Sequence, residues 1–174
     1  MKRSFLILTA VIFTFAAVNI SLAKELKIGY IDSDKILNDF QDYQDAKRIL
    51  DREEQEYTRQ AKQMELDIKN LQDEFDANAL MWSEEKKLET QMEGQNLVMR
   101  YQQFVENIWG QTGKLFQRNL ELFKPIIDNI NVIIKKIGEE EDYDFIFDAT
   151  AGNIVHAKPE YDLTNRIIEE LGKK

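Results

Sequence analysis

Cysteine is absent from this 174-residue chain. That excludes disulfide staples, thiol chemistry and cysteine-ligated metals. Histidine occurs once, at His156, so an imidazole metal cluster cannot be assembled and the residue reads as structural. Ser33 has no nearby histidine and no flanking nucleophile-elbow glycines, and no glycine-rich phosphate loop occurs. An enzyme, a metal site and a bound cofactor therefore all lack the residues they need. Proline is also scarce: Pro125 and Pro159 are the two in the chain, which leaves a long stretch free of helix breakers. Positive charge is in deficit, with 23 basic against 32 acidic residues and a net charge of −9. That argues against a nucleic-acid partner, whose phosphates must be neutralised by Lys and Arg.

Long apolar runs are limited to the N-terminus. Lys2 and Arg3 precede an apolar stretch from Phe5 to Ile20, and Ser21-Leu22-Ala23 then supplies small residues at a cleavage site. This is the order of an export signal cut after Ala23, and the run is short for a membrane span of about 20 residues. Cleavage removes two basic residues and no acid, so the mature chain from Lys24 has a net charge of −11.

What remains is mostly helix. Leu26–Ile31 alternates as a strand, and Asp32 or Ser33 caps a short helix to Phe40. From about 42 to 78 apolar residues recur at Leu50, Tyr57, Ala61, Met64, Ile68, Leu71, Phe75 and Ala79, a narrow stripe near 3.6 residues per turn. Residues 78–83 interrupt the pattern as a tip. Ser83, followed by Glu84 and Glu85, starts a second helix expected to reach about Phe123. Its stripe is read as Leu88, Met92, Met99, Val105, Trp109, Phe116, Leu120 and Phe123. Two long helices with a short connection fold back as an antiparallel hairpin. Pro125 either kinks the chain or restarts it before an isoleucine-rich helix. That helix ends at Gly138 and the acidic run Glu139–Asp142, which lacks the alternating ligands of a calcium loop and reads as a solvated cap. Strands at 143–148 and 153–157 and a last helix, Leu163–Leu171, close the chain.

The fold class is thus α+β: a helical hairpin, 41–124, projecting from a body formed by 24–40 and 125–174. The body holds 67 residues, a marginal core, and three short strands leave open edges. Joining several copies removes both problems.

Lys27-Ile28-Gly29-Tyr30-Ile31-Asp32-Ser33-Asp34-Lys35-Ile36-Leu37 closely resembles the opening of the Skp/OmpH family of periplasmic chaperones. Pro125–Ile130, Tyr143–Asp148 and Asp162-Leu163-Thr164 resemble the family's return into its body and its C-terminus. The resemblance implies a homotrimer with a β-barrel-like core. Its hairpins enclose a cavity that holds unfolded outer-membrane proteins without ATP. The best-known members of the family are strongly basic. Here residues 41–124 carry 12 basic and 17 acidic residues, a net of −5, which argues against direct contact with membrane or lipopolysaccharide.

Within that frame, Leu80, Met81 and Trp82 at the tip are either client contacts or an inward-folded staple. Phe104 is a cavity candidate, because it and Val105 are not expected to face the partner helix together. Gly94, Gly110 and Gly113 lie inside the expected second helix and are read as points of flexibility, or alternatively as sites of close helix approach. A coiled-coil adaptor of the cell envelope, docking one defined partner, is the competing reading.

Overall fold

The computed structural model describes residues 25–173. The export signal expected at 1–23, with cleavage after Ala23, falls outside the described residues. In chain order the elements are β1 (Ile28–Ile31), α1 (Ser33–Asp39), α2 (Gln41–Asn78), α3 (Glu84–Trp109), α4 (Lys114–Glu140), β2 (Phe145–Asp148) and α5 (Thr164–Leu171).

Local chemistry explains most boundaries. The Asp32 side chain accepts from the backbone N–H of Lys35 and caps α1, and Ser83 does the same for α3 through Lys86. Glu84 and Glu85 then sit in the positive first turn. The 38 residues of α2 run unbroken. At ~1.5 Å per residue the helix is roughly 55 Å long.

The return arm departs from expectation. It is not one helix to Phe123: α3 stops at Trp109, and α4 begins at Lys114 and continues through Pro125 to Glu140. Gly110 and Gly113 are therefore not inside a helix. They bracket a tight turn closed by Gly113 N–H donating to Gly110 O at 2.8 Å. A Cβ on Gly113 would stand 2.6 Å from Ile108 O, and one on Gly110 would stand 2.4 Å from Glu106 O, so the turn requires both glycines. Across this break α2 spans both helices, with Tyr57 against Phe104 of α3 and Tyr43 against Phe123 of α4, ring centroids 6.3 and 5.0 Å apart.

The body core is Ile31, Ile36, Phe40, Ile130, Ile137, Leu163, Ile167 and Leu171. Ile126, Ile130, Ile133 and Ile137 fall at helical spacing, so one face of α4 enters this core and packs on α5. β1 pairs in parallel with β2, Ile28 opposite Phe145 through Ile31 opposite Asp148, and the whole hairpin is the crossover between them. Gly29 permits the close approach of this layer, since a Cβ there would lie 2.8 Å from Leu163 Cδ1.

The third strand expected at 153–157 is not formed: among the described residues the sheet has two strands. A strand needs a ladder partner. β1 is taken by β2 on one side and bridged by Asp162 at Tyr30 on the other. Asn153–Ala157 therefore has no edge in its own chain except the outer edge of β2, which it does not reach.

Candidate functional site

A polar knot fastens the base of the hairpin. Asp148 Oδ1 accepts from Thr150 Oγ1 at 2.8 Å and from Ser33 N–H at 3.4 Å, and the hydroxyls of Ser33 and Thr150 lie 2.8 Å apart. Burial pushes the Asp148 carboxyl up, but hydrogen bonds from Ser33 and Thr150 outweigh it and hold it below the usual carboxylate range. Thr164 is buried. Its hydroxyl accepts from Asp32 N–H, and its own N–H donates to Asp162. These bonds tie β1, the start of α1 and the segment after β2 together, so the knot orients elements. Elsewhere, no group of three metal-ligating side chains occurs among the described residues, His156 is exposed on an irregular segment, and Glu141 pairs with Arg166 at 3.3 Å.

The tip is different in kind. Met81 N–H donates to Asn78 O at 2.8 Å, closing the turn that follows α2. Leu80 is 100% exposed and Met81 78%. Trp82 turns the other way: it is half-buried, its ring edge-on to Phe75 with centroids 5.9 Å apart. It staples α2 to α3 and so fixes how the other two side chains are presented. Phe104 is also turned inward. It and Val105 are both half-buried, and Phe104 meets Tyr57 and Trp109. Adjacent positions can share an interface when it is wide, and here the aromatic ring reaches across to α2.

The inner face of α3 is instead Thr90, Gly94, Leu97, Tyr101, Phe104, Val105 and Ile108, buried or half-buried in register with α2. Tyr101 donates to Glu65 at 2.5 Å, and that hydrogen bond raises the phenol above its usual range. Gly94 faces Leu71 across a groove of about 560 Å³.

Leu88, Met92 and Met99, expected between the helices, are instead 59%, 56% and 49% exposed. Leu88 and Met92 point to solvent, and Met99 joins Val98 along the mouth of the groove. This surface was missed because α3 carries two stripes of the same period, and periodicity does not say which one meets α2. A usable signal was present. Between Glu93 and Glu106 the only charge is Arg100, and a helix apolar on more than one face uses more than one face.

The body carries a second apolar surface. Leu26, Ile28, Phe145, Phe147, Val155 and Tyr161 are all exposed, and Phe145 and Phe147 stack at 6.1 Å on β2. Leu26, Ile28, Phe147 and Tyr161 line a cleft of about 750 Å³.

A helical arm with an exposed apolar end, on a small body with no unpartnered buried side-chain polar atom among the described residues, has the form of a binding protein. The comparisons agree: the family model described as "Outer membrane protein (OmpH-like)" matches residues 27–171, and the chain belongs to that family. It is a family of chaperones rather than enzymes, which supports a chaperone-type, non-catalytic role. A crystal structure of a candidate outer membrane chaperone (OmpH-like) from Caulobacter crescentus CB15 shares the fold. Its TM-score is 0.71 at 12% identity, covering 84% of each chain. No curated protein matches the sequence.

Proposed function

We propose that this chain is an ATP-independent periplasmic holdase. It is exported by a signal cleaved after Ala23, assembles as a homotrimer, and holds unfolded outer-membrane proteins between its hairpins until they insert. The observation that carries this reading is the exposed apolar series Leu80, Met81, Leu88 and Met92 at the free end of the arm. An exposed apolar surface of that extent is costly in water unless it is used, and methionine adapts to varied chains. Trp82 shapes the tip, and Phe104 rigidifies the arm from inside. The joint at Gly110–Gly113 is where the return arm changes angle to suit clients of different size. Nothing catalytic, no cofactor and no nucleic acid enters the cycle.

The test is suppression of aggregation of an unfolded β-barrel membrane protein. Leu80→Ser with Met81→Ser and Met92→Ser should reduce suppression several-fold while leaving assembly mass and melting temperature unchanged. Full suppression by the triple variant would remove the reading. Saturable binding to one folded envelope protein, with no effect on unfolded chains, would establish the adaptor instead.

A further inference from the structure

The outer half of the arm, residues 65–101, closed where Tyr101 meets Glu65, carries nine acidic side chains, three lysines and Arg100. Each lysine is already engaged by an acid of its own helix: Lys69 with Asp73 at 2.9 Å, Lys86 with Glu89 at 3.1 Å and Lys87 with Glu84 at 2.6 Å. Glu65, Asp67, Glu74, Asp76, Glu85 and Glu93 have no cationic partner among the described residues, and the segment has a net charge of −5. The exposed apolar residues Leu80, Met81, Leu88 and Met92 lie inside this stretch. Glu85 and Glu89 each stand three residues before one of them, Leu88 and Met92, and so are neighbours on the same helical face.

We infer that the holding surface selects apolar segments flanked by Lys or Arg and disfavours those flanked by Asp or Glu. The inference rests on the holding function proposed above and specifies its client chemistry. An apolar segment docked on Leu88 or Met92 brings its flanking side chains within a Debye length, about 10 Å at 0.1 M salt, of several uncompensated carboxylates. Flanking cations meet an attractive potential there; flanking acids meet a repulsive one, and the single cation on this half of the arm unpaired among the described residues, Arg100, is outnumbered by six uncompensated carboxylates. Charge then sorts clients, while the apolar contacts hold them.

The experiment uses the full mature protein and two unfolded peptides of identical apolar sequence, one flanked by lysines and one by glutamates, with binding read by fluorescence anisotropy. At about 0.05 M salt the lysine peptide should bind about tenfold more tightly, and the gap should close to within about twofold at about 0.5 M. Reversing Asp76, Glu85 and Glu93 to Lys should abolish or invert the preference without changing the affinity for an uncharged version. Equal affinity of the two peptides at low salt, or tighter binding of the glutamate peptide, overturns the charge selection alone. Failure of both peptides and of the uncharged version to bind overturns the holding function and this inference with it.

Discussion

Glycine means three different things in this arm, and a methyl group distinguishes them. At Gly94 a Cβ would lie 3.7 Å from Leu71 Cδ2, an ordinary contact, in the middle of α3. Helix propensity then dominates, and Gly94→Ala should raise stability by up to about 1 kcal/mol, read as an increase in melting temperature. At Gly113 the same methyl strikes the Ile108 carbonyl, so Gly113→Ala should cost more than about 1 kcal/mol; melting of the two variants side by side checks the opposite signs. Gly29 is the third case, a packing requirement against Leu163. Sequence located all of the arm's glycines but could not rank them, because helix-interior and turn glycines look alike until the neighbouring backbone is placed. The same limit applied to Trp82. Its position at the tip was readable, but its direction depends on Phe75, seven residues earlier on the other side of the turn.

Among the elements, the long ones were legible and the short ones less so. The boundaries of α2, the start of α3 at Ser83 and the tip between them followed from periodicity and capping, which are local. The α3–α4 break was not legible, because continuous apolar spacing ran across Gly110–Gly113 and the turn is forced by backbone contacts. Pro125 misled in the same way: α4 tolerates it in mid-course, where packing of its isoleucine face outweighs a lost hydrogen bond. The contact between α4 and α5 is partly ionic. Glu170 accepts from Lys136 at 2.6 Å and from Lys173 at 2.7 Å. Hydrogen bonds from those two lysines hold its carboxyl down at about 2, below the ordinary 4.5. A depressed carboxylate stabilises the fold above its unfolded value and loses that contribution as pH falls. Wild-type melting should therefore drop between about pH 4.5 and pH 2, and Glu170→Gln should remove this part of the decline. A parallel pH profile in the variant would show that Glu170 does not link α4 to α5.

The molecule as a whole has more apolar surface than one copy can cover. Its body core is small, although Ile36, Ile137 and Ile167 are fully buried, and Ile167→Ala should cost about 2–5 kcal/mol. Yet Phe145 and Phe147 stay in water on a strand whose outer edge is unpaired, and Val155, on the segment read as a third strand, is 98% exposed. The strand expected at 153–157 is not formed, and that segment has no partner edge in the same chain among the described residues. Both observations are resolved if the outer edge of β2 and this segment meet those of other copies, and folding is then linked to association. Three expectations follow from that linkage. The mature protein should have the mass of a trimer by light scattering. Its melting temperature should rise with protein concentration, because assembly stabilises by mass action. Phe147→Asp, which places a charge on the exposed face of β2, should lower the mass and remove the concentration dependence. It should leave the hairpin helical, because the α2–α3 seam is built from residues far along the chain from Phe147. A wild-type monomer whose melting is independent of concentration would contradict the assembly, and would leave the exposed phenylalanines of β2 without the partner that their position calls for.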